Sequence, residues 1–251
     1  MTELLTDKVC IITGAGKGFG KAIAKKFADN GAKLALITRN QSDVDDLYRE
    51  FDGDENKFLA IFGDVSDQET VNSFVADVKS KFGRIDVLVN NAGMRFRKKF
   101  EEITLEEFSL VLNVNVVSMF MLCKAIMPTM VEQKAGKIIN ISSVVGTLGL
   151  PELSAYATSK AAIIGLTKAL SVEYGESNIQ VNALAPGFCK TSYFENFKQK
   201  SELYDFTIER IPMRRWGESE EVANSCLFLA SSLSSYVTGD VINIDGGWSA
   251  W

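Results

Sequence analysis

The chain has 251 residues, 46% of them hydrophobic and 24% charged, enough to bury one sizeable core and at most two small ones. It contains no histidine, which excludes a Ser-His-Asp triad, a Cys-His pair, an HExxH zinc site and every imidazole base, so proton transfer falls to Tyr, Lys, Asp, Glu or Cys. The formal charge of −5 argues against a broad nucleic-acid surface, which needs clustered Lys and Arg.

Cys10, Cys123, Cys189 and Cys226 lie far apart with no CxxC pair, the pattern of reduced packing residues; no metal site is expected. The start, MTELLTDKVC, lacks the basic region and apolar run of a signal peptide. No stretch approaches the roughly 18 apolar residues of a membrane span, so a cytoplasmic protein without a membrane partner is expected.

In chain order, short β-branched or aliphatic runs alternate with segments of helical period, the signature of a parallel sheet covered by helices. Strands are expected over 9–13, 33–38, 58–65, 85–90, 137–142, 180–185 and 241–244. Runs as continuously apolar as VCIIT and DVLVN fit a sheet buried on both faces. Helices are expected over 18–30 with Gly31 as C-cap, from a Ser42–Asp45 capping box to 51, and over 68–82, 105–130, 155–174 and 218–231. The expectation is therefore an α/β, doubly wound Rossmann fold with a mainly parallel seven-stranded sheet, one domain over 1–251. The aromatic-rich stretch 188–216 has patchy periodicity and is long for a connection, as a mobile lid over a site would be.

After the first strand comes Thr13-Gly14-Ala15-Gly16-Lys17-Gly18-Phe19-Gly20, opening directly into a helix. Glycines there let the backbone approach a pyrophosphate while the helix N-terminus offers unpaired N–H groups. The residue closing the second strand contacts the adenosine ribose in such units, and Asp or Glu there favours NAD. Here it is Thr38, followed by Arg39. With Lys17, two cations are available for a 2′-phosphate and no carboxylate is in place to repel it, which predicts preference for NADP(H) with NAD(H) possible; solvated surface charges are the bland alternative. Asp64 in GDVSD can accept from an adenine amino group or merely cap a turn. Asn90-Asn91-Ala92-Gly93 ends the fourth strand, where Ala-Gly permits close approach.

Tyr156 and Lys160 sit four residues apart in an expected helix and share one face. A tyrosine is a poor base at neutral pH unless a nearby cation stabilises its phenolate, and Lys160 provides one. Ser143, ending KIINISS, can bond a substrate oxygen, and Asn115, in LNVNVVS, can hold a water linking Lys160 to solvent. A strand-end hydroxyl and a buried helix amide are the structural alternatives.

TGAGKGFG, NNAG, Asn115, Ser143, Tyr156 with Lys160, and Pro186-Gly187 together resemble the short-chain dehydrogenase/reductase family over essentially the whole chain. The resemblance implies Tyr156 as acid/base, Lys160 as its pKa-lowering and ribose-binding partner, Ser143 rather than Ser142 as substrate orienter, and Asn115 as proton relay. It further implies Gly14, Lys17, Gly18, Phe19, Gly20, Thr38, Arg39, Asp64, Val65, Asn91, Ala92 and Gly93 along the cofactor, with Pro186, Gly187 and Thr191 at its nicotinamide end. Cys189 stands where an aliphatic residue is usual, with little consequence expected. Homotetramers are common in the family, and Trp248 and Trp251 would be covered by a neighbouring subunit or by the chain's own core.

For the substrate, Met94-Arg95-Phe96-Arg97-Lys98-Lys99 forms a basic cluster where ligands of open α/β sheets bind, although a solvated loop would look the same. NNAGMRFRKKF, MVEQKAGKIINI, NIQVNALAPGFCKT and MRRWGESEE resemble the gluconate 5-dehydrogenase branch, where arginines follow NNAG; Arg97 falls on one of those positions and Phe96 takes the place of another, which implies a sugar acid held by an incomplete clamp of Arg97, with Arg95 beside it. SSVVGTLG and the glycine loop equally resemble the 3-oxoacyl-acyl-carrier-protein reductase branch. That branch ranks second, because 173–177 is acidic where an acidic carrier would need cationic contact, leaving Lys134. A catalytically idle nucleotide-binding regulator would show a broken Ser-Tyr-Lys set, which is whole here.

Overall fold

The computed structural model describes residues 3–51, 56–191, 194–199 and 201–250. Seven strands form one sheet, entirely parallel rather than mainly so: β1 (Val9–Thr13), β2 (Lys33–Thr38), β3 (Phe58–Phe62), β4 (Val87–Asn90), β5 (Gly136–Ile141), β6 (Ile179–Pro186) and β7 (Val241–Ile244), in the order β3-β2-β1-β4-β5-β6-β7. Every residue of β1 and β4 is buried, as expected for strands covered on both faces, whereas the edge strand β7 stays half-buried. One core cluster packs helices α1 (Gly18–Ala28), α2 (Gln41–Glu50) and α9 (Ser219–Ala230) on one side of the sheet. The other packs α3 (Gln68–Phe82), α5 (Ser118–Gln133) and α6 (Ser154–Glu173) on the opposite side.

Several boundaries move for local reasons. The first helix ends two residues early, and Gly31, at φ 83°, turns the chain into β2 beyond the cap. No capping box forms at Ser42: the N-cap of α2 is Asn40, two residues earlier. The third strand stops before Gly63, because Asp64 accepts from the N–H and hydroxyl of Ser66 and starts a turn. Past Met130 the fifth helix continues to Gln133, whose amide bonds the backbone N–H and C=O of Ile85 at 3.0 and 2.7 Å, and Lys134 ends it in the left-handed region.

The helix expected over 105–130 is α4 (Leu105–Leu112), a π-helical turn at Asn113–Val117, and α5. Its continuous run, Leu105–Gln133, is long and apolar enough to cross a membrane, contrary to the sequence expectation, with a mean hydropathy of 1.9 in its most apolar window. More than half of that window is buried inside the protein, with Met119, Leu122, Ile126 and Met130 in the core, so it is a core helix.

The stretch 188–216 carries α7 (Phe194–Lys198) and α8 (Ser201–Arg210). Phe188, Phe194, Phe197 and Tyr204 pack around Trp216, whose indole N–H donates to Thr207 at 2.7 Å. Cys189 pairs with Gly217 in a short parallel bridge that returns the segment to the body. Trp248 is buried against Phe188 and under the Arg210 guanidinium, within its own chain; Trp251 lies outside the described residues. All four cysteines are free and buried.

Candidate active site

The connections after β1 and β4 leave toward opposite sides, so their turns part at the carboxyl end of the sheet and open a cleft of ≈ 590 Å³. Gly14 and Gly18 sit at φ 62° and 55°, where a side chain would be strained. Lys17 is the N-cap of α1 and gives no side-chain cap hydrogen bond, so no side chain at the cap competes with an anion for the first-turn N–H groups. At Gly20 a Cβ would lie 2.6 Å from the Asn91 amide nitrogen, so the loop seats directly on the turn after β4. A pyrophosphate approaching backbone fits this loop.

Asn91 itself is a clamp: its amide donates to the carbonyls of Thr13 and Gly14 at 2.9 and 3.1 Å, while the Thr13 hydroxyl accepts from the N–H groups of Asn91 and Ala92 at 3.0 and 2.9 Å. Thr13 went unnoticed in sequence because its only signal is a hydroxyl closing a buried strand. Gly93, Phe19, Asp64 and Val65 line the cleft as expected, with one Asp64 oxygen occupied by its own turn.

At the adenosine end Thr38 is buried and Arg39 and Lys17 are exposed, and among the described residues neither cation forms an ion pair. The expectation that no carboxylate stands there fails. Asp43, from the first turn of α2, folds back toward the strand end, and its Oδ2 accepts from the Thr38 hydroxyl at 3.0 Å and from the Asn40 amide at 2.9 Å. Five residues beyond β2, it lies outside the position where such carboxylates are sought.

The two adjacent serines separate by partner. Ser142 is buried and its hydroxyl donates to the Lys160 carbonyl at 2.9 Å, whereas the less buried Ser143 donates to the Pro186 carbonyl at 3.4 Å and lines the cleft together with Tyr156. Helix α6 buries Ala155, Ser159, Lys160, Ile163, Thr167 and Ser171, a repeat near four that leaves Tyr156 half-buried at the cleft one turn before Lys160. The Lys160 ammonium donates to the Ile141 carbonyl at 2.7 Å and lies 5.5 Å from the Tyr156 ring centre. Burial pulls Lys160 down from 10.5 to about 8. Burial pushes the Tyr156 phenol up, with the Arg95 charge and a hydrogen bond from Ser143 pulling it back.

Asn115 lies in the π-helical turn and is fully buried. Its Oδ1 accepts from the Met94 N–H at 2.7 Å, and its amide donates to the Met94 carbonyl and the Ser159 hydroxyl, both at 2.9 Å. The side chain thus ties the loop that carries Arg95 to the helix that carries Tyr156, and its Oδ1 keeps a second lone pair. Pro186 ends β6 beside Ser143 and Gly187 follows it, and a Cβ on Gly18 would stand 3.8 Å from that of Thr191, so the start of the 188–216 segment reaches the glycine loop.

Arg95 and Arg97 both line the cleft. Burial lowers the Arg97 pKa, the Arg95 charge lowers it further, and Glu152 at 3.9 Å opposes both. The apolar residues Met94, Val145, Leu150, Leu153, Phe197 and Trp216 also line the cleft.

Residues 14–249 match the family model described as enoyl-(acyl carrier protein) reductase. The chain is 43% identical over 243 residues to a 3-oxoacyl-[acyl-carrier-protein] reductase of Thermotoga maritima, spanning 97% of this chain and 98% of that protein. It is 35% identical over 243 residues to gluconate 5-dehydrogenase of Gluconobacter oxydans, spanning 97% and 95%. Its fold superposes on the crystal structure of a gluconate 5-dehydrogenase from Burkholderia cenocepacia in complex with NADP and tartrate, with a TM-score of 0.93, 31% identity, and 98% and 97% coverage.

Proposed function

The chain belongs to the short-chain dehydrogenase/reductase family and is an oxidoreductase of CH–OH groups, and from that premise we propose that it interconverts a hydroxy acid of the sugar-acid class and its oxo form, with NADP(H) preferred over NAD(H). The observation that carries the reaction is the convergence of Ser143, Tyr156 and Lys160 on one cleft beside the uncapped start of α1. A bound nicotinamide dinucleotide supplies the hydride donor or acceptor. Ser143 holds the carbinol or carbonyl oxygen, and Tyr156 Oη gives or takes its proton. Lys160 stabilises the phenolate by its charge and is a ribose donor. Asn115 positions the Arg95 loop and the catalytic helix through its side-chain bonds and is the proton-relay residue of this reading. Gly14, Gly18, Phe19, Gly20, Val65, Ala92, Gly93, Pro186, Gly187 and Thr191 form the cofactor's bed, with Lys17 and Arg39 as its 2′-phosphate contacts.

The substrate class rests on Arg95 and Arg97, two guanidinium groups that repel one another, with Glu152 loosely paired to Arg97. A carboxylate relieves that repulsion and binds through two parallel hydrogen bonds. The tartrate in the Burkholderia enzyme's crystal, a small dicarboxylate, supports this reading. The apolar part of the lining favours a second one, a 3-oxoacyl thioester, whose chain would lie along Leu150, Leu153 and Phe197. Residues 1–251 are read as one cytoplasmic domain, and exposed Leu110, Val117, Phe120 and Val172 on α4 to α6 support assembly into a homotetramer.

A panel of sugar acids, polyols, ketones and 3-oxoacyl thioesters, followed by nicotinamide absorbance, tests the assignment. Arg97→Ala is expected to raise KM for the acid by about 1.5 to 3 kcal/mol at most, less for a contact a third exposed to solvent, and to leave a neutral polyol unaffected. Faster turnover of thioesters than of any sugar acid hands the protein to the second reading.

A further inference from the structure

We propose that Asp43 sets the discrimination between the two nicotinamide dinucleotides: its carboxylate accepts from the adenosine 2′-hydroxyl of NAD(H) and opposes the 2′-phosphate of NADP(H), against the pull of Lys17 and Arg39. The proposal rests on the cofactor reading above.

Three observations place it. The end of β2, where the ribose contact of such a cleft is made, offers only the neutral Thr38, and the Thr38 hydroxyl is already directed at Asp43. Both hydrogen bonds to Asp43 fall on Oδ2, Oδ1 makes none among the described residues, and Asp43 is one of the residues lining the cleft, so the carboxylate keeps acceptor capacity there. Gly16 of the glycine loop has no Cβ at the point where one would overlap the Asp43 carboxylate, so this side chain lies against the phosphate-binding loop instead of in open solvent.

A carboxylate so held is a strong acceptor for a hydroxyl and a like charge to a phosphate that carries ≈ −1.5 to −2 at neutral pH. Lys17 and Arg39 are exposed, so their attraction for the phosphate is screened at physiological salt. Preference for NADP(H) is then a difference between two terms of similar size, and removing the negative one sharpens it.

The test is equilibrium binding, read by calorimetry on the full chain without turnover, of NADH, NADPH, 5′-AMP and adenosine 2′,5′-bisphosphate. Asp43→Asn keeps an acceptor for Asn40 and deletes only the charge. It is expected to weaken NADH and tighten NADPH, moving their affinity ratio about tenfold or more toward NADPH, with the two adenosine fragments following the same order. Gly16→Ala displaces the carboxylate by sterics and is expected to move the ratio the same way, since any damage to pyrophosphate binding is common to both cofactors. An unchanged ratio, or equal losses for both cofactors with a lowered Tm, makes Asp43 only a brace for α2 and overturns the proposal. If the wild type binds neither dinucleotide, the cofactor reading itself falls, and the proposal with it.

Discussion

Lys160→Met is expected to abolish turnover while stabilising the folded protein at neutral pH. Lys160 is 4% exposed, and the hydrogen bond of its ammonium to the Ile141 carbonyl does not replace the lost hydration. Burial holds its folded pKa at about 8, against 10.5 for the free side chain. At ~1.4 kcal/mol per pH unit, that gap costs the native state about 3 kcal/mol wherever the lysine is charged in both states. Below pH 8 the cost is constant. Between pH 8 and 10.5 the native lysine is neutral while the unfolded one still holds its proton, so this group makes stability rise with pH, and above 10.5 its penalty is gone. Met removes the charge and keeps most of the apolar stem, at a loss of about 1 kcal/mol for the carbonyl left behind, giving a net gain of about 2 kcal/mol at pH 7. Urea unfolding of both proteins from pH 7 to 10.5 checks this, and the difference between the two curves cancels the buried thiols, whose raised pKa values act oppositely but equally in both. A variant less stable than wild type at pH 7, with a difference independent of pH, refutes the reasoning.

Tyr156→Phe is expected to remove nearly all turnover with dinucleotide affinity unchanged by calorimetry, because only the proton-carrying hydroxyl is lost. Ser143→Ala and Ser142→Ala are expected to diverge: the first lowers kcat by two orders of magnitude or more with the fold intact, and the second costs about 1 kcal/mol in urea unfolding with modest effect on kcat, since Ser142 bonds only the Lys160 carbonyl. Trp248→Ala is expected to cost about 3–5 kcal/mol of unfolding free energy at protein concentrations low enough to dissociate any assembly, because the ring is covered by its own chain.

Much of this was legible in the residues because single-chain physics controls it. Strands buried on both faces must be apolar at every position, which VCIIT and VLVN satisfy, and the Tyr156–Lys160 pair needs only helical periodicity. The parts that were not legible depend on tertiary contacts. NVNVV continues the apolar spacing of its helix, so nothing local marks the π-helical turn that gives Asn115 its bonds to Met94 and Ser159. Around Trp216 the aromatic residues come from two short helices and their connections, and no single period runs through them. Asp43 is by local sequence only a first-turn acid of a helix, and the strand it returns to is fixed only once α2 has packed on β3.

The two ends of the sheet handle charge in opposite ways, and the contrast explains why chemistry is confined to one of them. At the amino end of β4, Asp86 is buried, yet it accepts a fork from Arg84 at 2.8 and 2.6 Å and the Val9 N–H at 3.0 Å, with Lys8 beside it at 3.5 Å. Against burial that would raise its pKa, those partners hold it below the usual carboxylate range, so the group stays ionised and has no acceptor capacity to offer a ligand. At the carboxyl end the accounts are left open. Lys160 has a carbonyl for a partner, Arg97 a carboxylate at 3.9 Å, and Lys17 and Arg39 no ion pair among the described residues. The buried Lys160 and the partly buried Arg97 cost stability that a closed pair would supply, the exposed Lys17 and Arg39 cost little, and all of them can be satisfied by an anion or a developing phenolate in the cleft. A fold that tolerates this deficit at one end needs a saturated network and two full apolar layers elsewhere, and both are present.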